Sequence, residues 1–500
     1  MDRAIKHITL ITVLCLLAGL SFAAPDFSEL KALAKQGDSE SQYKLGLMYQ
    51  DGDEIPEDTA EAAKWFQLAA EQSFALAQFK MGIMHFTGSG VPQDDAEAVR
   101  WLRLAAEQDL GPAQISLSSM YRKGRGVPQD DDEAAKWLQS GFKLIHAKYQ
   151  ELVAAGKLNE ALPYAKASYD IGLRIYGEES KSTASLNYNY GLMLLDNGQP
   201  KNSWPVLLET LDRYERVYGK NAMELIDPLM SLGHSGSMHR SSYKEFYDRA
   251  FAIAASAEGD DSVLYAELLM EAGRNLLYRT PVLTRQSSGK LATQYLQTAR
   301  ELFRTKLGSD HPKAGRAAYH LGLYEFYKKH YQPAELYFSE ALNSFEKPDR
   351  PSSSTEIKTH AYLVEVYENL GERDKSTAHC LAIGRMTPYD PNQEYKALYT
   401  VNPDIKHRAG ARPNWGYAIV EFTVSPAGIV QVPKVVETTW STRIGEAGIE
   451  AVERFRFAPR FVDNEPVATE GVKYKFTWEN NRTRYFPYPQ KNNDRVAPLR

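Results

Sequence analysis

Cysteine is almost absent from this sequence of 500 residues. Cys15 lies within an apolar run at the N-terminus, and Cys380 is the only other cysteine. If the N-terminal run is removed on export, no intrachain disulfide can form, so packing must stabilise the fold. Cys380 lies between Ala378 and Leu381 in an apolar helical pattern, which predicts a buried small residue rather than a reactive thiol.

Signatures of catalysis, metal binding and phosphate binding are scarce as well. The sequence has no glycine-rich phosphate loop, and its eleven histidines form no pair at the helical spacing of metal ligands with a carboxylate. The string GHSGS at residues 233–237 is one residue short of the Gly-x-Ser-x-Gly nucleophile elbow, which requires a strand before the serine. Residues 222–232 predict a helix instead, so Ser235 is assigned to a loop or a helix end. We therefore predict no catalytic, cofactor-binding or metal-binding residue, with a hydrolase as a remote alternative.

Long apolar runs are limited to residues 8–22. Arg3 and Lys6 precede this run, and Ser21-Phe22-Ala23 supplies small residues at the two positions that a signal peptidase reads. About 15 apolar residues are fewer than the roughly 20 that span a bilayer. The sequence predicts a signal peptide over residues 1–23, cleavage after Ala23 and export to the periplasm. A retained inner-membrane anchor is the alternative.

The composition is that of a globular protein, with 43% apolar and 25% charged residues and a formal net charge of -5. This balance gives no indication of nucleic-acid binding. A mildly basic end, residues 403–500, follows an acidic body. The length exceeds that of one ordinary core, so we expect several structural units or an extended repeat array.

A repeat of 36 residues fills the first part of the chain. The block SQYKLG at residues 41–46 recurs as AQFKMG at 77–82 and as AQISLS at 113–118. Three further landmarks keep the same spacing, namely Gly52, Gly88 and Gly124; Pro56, Pro92 and Pro128; and Trp65, Trp101 and Trp137. A period of this length predicts helix–loop–helix units.

Each landmark has a role in such a unit. Gly46 and Gly82 allow two helices to approach closely, and the tryptophans line the face that packs on the next unit. An Asp with a Glu three residues later follows each loop proline, which predicts a capping box at the start of the second helix. These pairs are Asp58 with Glu61, Asp94 with Glu97, and Asp130 with Glu133.

Over about residues 25–140 the blocks resemble the Sel-one-like subclass of tetratricopeptide repeats, which implies an α-solenoid for protein contacts. We assign residues 24–145 to three such repeats.

A looser array with a period of 42 residues follows, because Tyr176-Gly177 recurs as Tyr218-Gly219. Helix pairs follow these glycines, and Gly191 and Gly322 occupy the close-contact position of their pairs. Residues 146–395 resemble tetratricopeptide repeats of the kinesin-light-chain type, in about five degenerate units. The many tyrosines of this region could have either of two roles. They could be packing residues, or they could bind a peptide in a concave groove.

The pattern changes from helical to alternating after Pro403. Residues 417–424 and 429–436 read as strands around a Ser-Pro-Ala-Gly turn, residues 444–455 have helical spacing, and residues 471–478 alternate again. The fold class is therefore mainly α, with an α-solenoid of helix-turn-helix repeats followed by a small α+β domain of β-β-α-β order. Residues 481–500 are assigned to a disordered tail.

This module resembles the C-terminal domain of TonB over residues 403–480. The Pro-Ala-Gly turn, the segment FRFAP at residues 455–459 and the segment NEPV at 464–467 carry the resemblance, although Phe455 replaces the usual Trp and Glu465 the usual hairpin Gly. The second change makes a tight left-handed turn less favourable at that position. The resemblance implies a periplasmic domain whose edge strand pairs with a segment of an outer-membrane transporter. TonB also has a retained anchor and a Pro-rich spacer, and neither pattern is present here.

These features predict a periplasmic scaffold for protein–protein interaction. The repeats would bind one partner, and the module would dock another by strand addition. The predicted partners are proteins or peptides of the cell envelope, including a TonB-dependent outer-membrane transporter, with membrane contact only if the signal is retained. The candidate edge strand consists of Lys473, Tyr474, Lys475, Phe476, Thr477 and Trp478. Its lysines would favour an acidic peptide or would only protect a bare edge from aggregation. A membrane-anchored energy transducer of the TonB type is the alternative function.

Overall fold

The computed structural model describes residues 27–52, 55–239, 243–278, 286–345, 353–387, 395–403, 415–439, 442–479 and 482–485. The predicted signal peptide therefore lies outside the described residues. The chain divides into two compact units, one up to Ile253 and the other from Ala254 onward.

The first unit contains α-helices and one short 3-10 helix in its described residues. The helices are α1 (Phe27–Lys35), α2 (Ser39–Asp51), α3 (Thr59–Glu71), α4 (Ala75–Thr87), α5 (Asp95–Ala106), α6 (Gly111–Lys123), α7 (Asp131–Ala154), α8 (Leu158–Tyr176), α9 (Lys181–Asp196), α10 (Pro200–Tyr218), α11 (Ile226–His239) and α12 (Lys244–Glu258). The pairs α2–α3, α4–α5 and α6–α7 are the three predicted hairpins of 36 residues.

The loop glycines end the first helix of each hairpin. Gly52, Gly88 and Gly124 have left-handed φ values of 74°, 75° and 62°, which explains why glycine recurs there. The capping boxes are only half formed. Each Asp accepts a hydrogen bond from the backbone of the second helix, as Asp58 does from the N–H of Glu61 at 2.9 Å. The N–H of Asp58 donates to the carbonyl of Tyr49 instead of to Glu61. The Glu side chains instead pair with cations three residues later.

Glycines at helix crossings set the distance between paired helices. A Cβ added at Gly46 would lie 2.6 Å from Phe66, and one added at Gly82 would lie 2.7 Å from Leu102. Gly191 of α9 meets Leu207 of α10 in the same way. Any larger side chain would push the two helices apart, so these positions require glycine.

One helix belongs to both repeat arrays. α7 has 24 residues, about twice the length of α3 and α5, its counterparts in the first two repeats. Its first turns close the third 36-residue hairpin, and its later residues Ile145 and Tyr149 are buried against the helices that follow. The two arrays are thus joined by a continuous helix instead of a loop.

The second unit begins with further helix pairs. Its helices are α13 (Val263–Tyr278), α14 (Gln286–Leu307), α15 (Pro312–Tyr327), α16 (Tyr331–Phe345), α17 (Ser354–Leu370) and α18 (Arg373–Met386). A Cβ at Gly322 of α15 would lie 2.7 Å from Phe338 of α16. Phe338 belongs to a core cluster that also contains Leu363 and Tyr367 of α17.

The C-terminal part of the chain, from residue 395 onward, contains eight short or medium strands and one helix in its described residues. They are β1 (Ala397–Tyr399), β2 (Trp415–Val424), β3 (Val430–Thr438), α19 (Thr442–Val452), β4 (Arg456–Phe457), β5 (Arg460–Val462), β6 (Glu465–Val467), β7 (Thr469–Glu479) and β8 (Arg482–Tyr485). The main sheet is antiparallel with the order β3-β2-β7-β8, while β1 pairs with β4 and β5 with β6. α19 packs on β2 and β3.

The structure confirms the fold class and changes three details of the module. Residues 482–485 form β8, although they were assigned to a disordered tail. Phe455 lies beyond the end of α19 and is fully buried in the core, so the helix is shorter than its periodicity predicted. The hairpin between β5 and β6 places Asp463 and Asn464 in left-handed conformations, with φ of 51° and 65°. Asp and Asn tolerate this region, so Glu465 does not have to adopt it.

Candidate partner-binding site

The predicted edge strand, β7, lies inside the main sheet. On one side β7 pairs with β2 along its length, from Thr469 opposite Val424 to Glu479 opposite Trp415. On the other side β8 pairs with the stretch from Phe476 to Glu479. The edge prediction is therefore wrong for Phe476, Thr477 and Trp478, because the chain turns back after β7 and supplies its own strand. Within the described residues, no strand pairs with residues 469–475 on that side.

The side chains of β7 alternate between the core and the outer face. Phe476 is 1% exposed, and the Tyr474 ring lies 4.9 Å from the Phe455 ring in an edge-to-face contact. Phe476 is therefore part of the core and cannot contact a partner directly, while Tyr474 is half-buried and packs against the core. Lys473, Lys475 and Thr477 lie on the opposite face, as the alternation predicted.

The lysines of β7 already have partners within the sheet. Lys473 Nζ lies 3.3 Å from Glu421 Oε2 on β2, and Lys434 of β3 lies 2.7 Å from Glu421 Oε1. The hydrogen bond from Lys434 lowers the pKa of Glu421, and the one from Lys473 lowers it further. Lys475 Nζ lies 4.1 Å from the centre of the Tyr417 ring. The positive charge available to an acidic peptide is thus smaller than the sequence suggested.

The other edge of the sheet, β3, is irregular. Val432 is 81% exposed and has a left-handed φ of 47°, and the pairing with β2 shifts register at this point. Pro433 has no N–H to offer to an added strand. A bulge and a proline are devices that keep an edge from pairing with another chain. The outer side of residues 469–475 is therefore the more regular place for strand addition.

The module is fastened to the last helix pair. Arg456 Nε lies 2.7 Å from Glu368 Oε1 of α17, with the two side chains 4% and 6% exposed. The N–H does not point at the oxygen, so the contact is an ion pair rather than an aligned hydrogen bond. β1 follows α18 in the sequence and pairs with β4, and a Cβ at Gly384 would lie 2.5 Å from the Pro459 carbonyl.

Cys380 lies at this contact between α18 and the module. Its side chain is fully buried, as the sequence predicted, and burial raises the pKa of the thiol to about 12. A Cβ at Gly428 of the module would lie 3.4 Å from Cys380 Cβ. A buried thiol with a raised pKa is a poor nucleophile, which agrees with a packing role.

The predicted packing residues of the repeats lie in or beside buried clusters. Trp101 joins a cluster that the first two repeats share and that includes Tyr43, Phe66 and Met81. Trp65 packs against a cluster that begins in α1, and Trp137 against that of the second repeat. Each tryptophan thus contacts the preceding unit, whereas the repeat pattern predicts contact with the next one.

A ladder of glutamines also joins neighbouring repeats, and sequence reasoning missed it. Gln42, Gln78 and Gln114 are buried, and each donates its amide to a carbonyl near the end of the preceding helix at 2.9 to 3.2 Å. Gln108 also donates to the Gln78 side chain at 2.7 Å. The invariant second position of the repeated block was the signal, since a buried polar residue needs a partner.

The elbow-like string has no elbow geometry. Ser235 lies within α11, its side chain is fully buried, and its hydroxyl donates to the carbonyl of Pro200 at 3.0 Å. Gly233 and Gly236 are covered by Tyr247 and Trp204. A serine enclosed in this way cannot reach a substrate.

Across the described ranges, no cluster of three histidine, cysteine or acidic side chains is arranged to hold a metal ion.

Comparisons with protein families agree with these repeats and strands. The Sel1 repeat model matches residues 39–74, 75–110 and 111–144. A tetratricopeptide repeat model matches residues 282–347, and the model of the Gram-negative bacterial TonB protein C-terminal domain matches residues 407–479. The Sel1 and TonB resemblances are confirmed, and the tetratricopeptide resemblance is confirmed within residues 282–347. A search of curated proteins finds no match.

Solved structures of repeat proteins resemble parts of the chain. A Sel1 repeat protein from Oxalobacter formigenes is 34% identical, over 23% of this chain and 87% of its own length, with a TM-score of 0.22. The protective antigen c5321 of uropathogenic Escherichia coli, which displays an SLR fold, is 16% identical over 77% of this chain and 90% of its own, with a TM-score of 0.26.

Repeat scaffolds of this kind form protein–protein contacts. Of the helices in the described part of the chain, none is both long and apolar enough to cross a bilayer. The chain thus contains segments that match Sel1 repeats, a tetratricopeptide repeat and the C-terminal domain of TonB.

Proposed function

We propose that this protein is a periplasmic scaffold, in which the repeats hold one protein partner and the C-terminal module docks an envelope protein by strand addition. The segment 469–475 of β7 carries this proposal. Its backbone pairs with β2 on one side, and among the described residues no strand pairs with it on the other. An extended partner segment placed there would continue the line of β8.

Strand addition suits this segment physically. Main-chain hydrogen bonds give affinity without requiring a deep pocket, and the alternating side chains of the edge strand give specificity. Glu470 and Lys473 are exposed along the segment, so the partner would meet charges of both signs. Gly471 has a φ of 70° at a register shift, which bends the strand at one end of the segment.

The location rests on two sequence features. The apolar run before Ala23 has the length of a signal peptide, and the TonB family module points to a Gram-negative envelope. The mature protein would begin at Ala24 and be released with periplasmic contents. N-terminal sequencing of the exported protein tests this, and a full-length product that stays with washed inner membranes would support the anchored transducer instead.

The scaffold is favoured over the transducer by the way the module is attached. A transducer of the TonB type reaches across the periplasm through an extended spacer. Here the ion pair between Glu368 and Arg456 and the pairing of β1 with β4 fasten the module to the helix pair α17–α18. A module held in this way presents its edge at a fixed place relative to helices α17 and α18.

Site-specific crosslinking in the cell tests the docking edge. A photoreactive residue at Glu470 should crosslink to an envelope protein through an extended segment of that protein. The same residue at Val432, on the irregular edge β3, is the matched control and should give no such product. Equal crosslinking from both positions, or none from Glu470, would refute strand addition at β7.

A further inference from the structure

Three basic side chains meet at the junction of the two repeat arrays. Arg122 and Lys123 end α6, and Arg174 lies in the last turn of α8. Both helices pack on α7, the helix that the two arrays share. Ile115 of α6 and Ile171 of α8 belong to one core cluster. Arg122 lies two helical turns after Ile115 on the same face, and Arg174 lies three residues after Ile171.

The Arg174 side chain is only half-buried, and two of its three guanidinium nitrogens lack an acceptor. Its Nε and Nη2 atoms are buried and have no hydrogen-bond partner within the described residues. Burial lowers the pKa of Arg174 to about 10, and the charge of Arg122 lowers it further. Burial also lowers the pKa of Lys123, followed by the charges of Arg122, Arg125 and Arg174. A partly buried cation among like charges costs free energy unless an anion accompanies it.

Arg216, the equivalent arginine of the next repeat, has the carboxylate partners that Arg174 lacks. Arg216 stands 42 residues after Arg174 in the same register before a Tyr-Gly pair. Arg216 pairs with Glu179 and with Asp212, the latter at 2.8 Å. The counterpart of Asp212 is Asp170, which pairs with Lys166 at 2.7 Å instead. Arg174 is therefore left without a carboxylate from its own helix.

Among the described residues, no further carboxylate forms an ion pair with Arg174, Arg122 or Lys123. Arg125 is the neighbour that has a partner, since its guanidinium binds both oxygens of Asp95 at 2.9 and 2.5 Å. Neither Arg122 nor Lys123 has an ion pair within the described residues. The helix dipoles of α6 and α8 favour cations at these ends, but they do not provide an acceptor for the enclosed nitrogens of Arg174.

We propose that Arg174, Arg122 and Lys123 bind a carboxylate of an acidic peptide segment at the junction of the repeat arrays. Guanidinium groups bind carboxylates through paired charge-assisted hydrogen bonds. The proposal gives the chemistry of the partner held by the repeats, and so it rests on the scaffold function.

The test measures binding of a hexaglutamate peptide to the mature full chain at low salt by fluorescence anisotropy. Arg174→Gln should weaken binding at least about tenfold, since a charge-assisted hydrogen bond is lost. The exposed double variant Arg122→Gln with Lys123→Gln should weaken it similarly and cannot disturb a core. Arg216→Gln is the matched control and should leave binding unchanged.

Thermal melting separates a binding role from a structural one. Because Arg174 is an uncompensated cation, Arg174→Gln should leave the melting temperature unchanged or raise it, and the peptide should raise that of the wild type only. A lowered melting temperature with unchanged peptide binding would overturn the proposal. So would equal loss of binding in Arg216→Gln, no binding by the wild type, or inorganic phosphate binding more tightly than the peptide. A variant that loses the peptide but still docks through β7 in the cell would separate this site from the docking edge.

Discussion

Glu368 of α17 and Arg456 of β4 form an ion pair of 2.7 Å in which less than a tenth of either side chain is exposed. This pair joins a repeat helix to the C-terminal module. Removal of one partner would leave a buried charge alone, so Arg456→Leu should lower the free energy of unfolding of this part of the chain by about 3–5 kcal/mol. Denaturant unfolding followed by circular dichroism measures this effect.

The double variant Glu368→Leu with Arg456→Leu is the control for that pair. Two apolar side chains remove both charges, so the double variant should recover much of the stability lost in the single one. Equal losses in the single and double variants would show that the two charges do not interact.

Trp101 tests the packing of the 36-residue repeats. It is 6% exposed and lies in the cluster shared by the first two repeats. Trp101→Ala should reduce stability by about 3–5 kcal/mol, as expected for a large-to-small core change, and the damage should spread to neighbouring repeats. Leu104→Ala, at a more exposed position of the same helix, should have a small effect. Unchanged melting of Trp101→Ala would contradict the repeat packing.

The substitution Ser235→Ala tests the prediction that the protein has no catalytic serine. Ser235→Ala removes the hydrogen bond to the Pro200 carbonyl, so stability should fall by about 1 kcal/mol. Binding activities should remain intact, because the hydroxyl is buried. If the wild type hydrolyses a model ester and the folded variant does not, a hydrolase function would have to be reconsidered.

Two buried histidines should make the second unit sensitive to acid. His360 Nδ1 and His379 Nδ1 lie 2.7 Å apart, so at most one of these atoms can carry a proton in this geometry. Burial lowers the pKa of both to about 4, and for His379 the charge of His360 lowers it further. In the unfolded chain histidine has a pKa near 6.5, so the unfolded state binds more protons below that pH than the folded state does. The contribution of the two histidines to stability is therefore fully present above pH 6.5 and is lost as the pH falls toward 4.

Unfolding free energies measured between pH 7 and pH 4.5 check this dependence. His379→Gln removes one titrating group and should flatten the slope. His330→Gln removes a histidine that is 60% exposed and should leave the slope nearly unchanged. An unaltered slope in His379→Gln would show that the pair does not control acid stability.

The sequence predicted those features that depend on local patterns. Glycine at the position of Gly52 and tryptophan at the position of Trp101 recur at a fixed spacing because the helices of each repeat pack in the same way. The alternation of apolar and polar residues in β2 and β7 shows directly which side chains face the core. The contact of Glu368 with Arg456 could not be predicted, since it joins residues far apart in the sequence. The pairing of β8 depends on the turn after β7, which no local pattern revealed.

The capping boxes show how distant contacts override a local motif. The Asp and Glu spacing is correct, but the N–H of Asp58 finds a carbonyl on the preceding helix at 2.8 Å. The Glu side chain is then available to pair with Lys64. The prediction of β7 as an edge strand was wrong in part for a similar reason. Alternation of side chains identifies the two faces of a strand but not its neighbours in the sheet.

The docking edge of β7 can be tested with two lysines that share one carboxylate. Lys473 of β7 and Lys434 of β3 both pair with Glu421. Lys473→Glu and Lys434→Glu therefore disturb the same carboxylate, but only the first changes the charge beside the segment 469–475. If an envelope partner adds a strand there, Lys473→Glu should slow its association several-fold, whereas Lys434→Glu should not. Surface plasmon resonance with the crosslinked partner measures both rates, and hydrogen exchange should show protection of residues 469–475 on binding. Equal effects of the two variants, or protection of β3 instead, would place the docking surface elsewhere on the module.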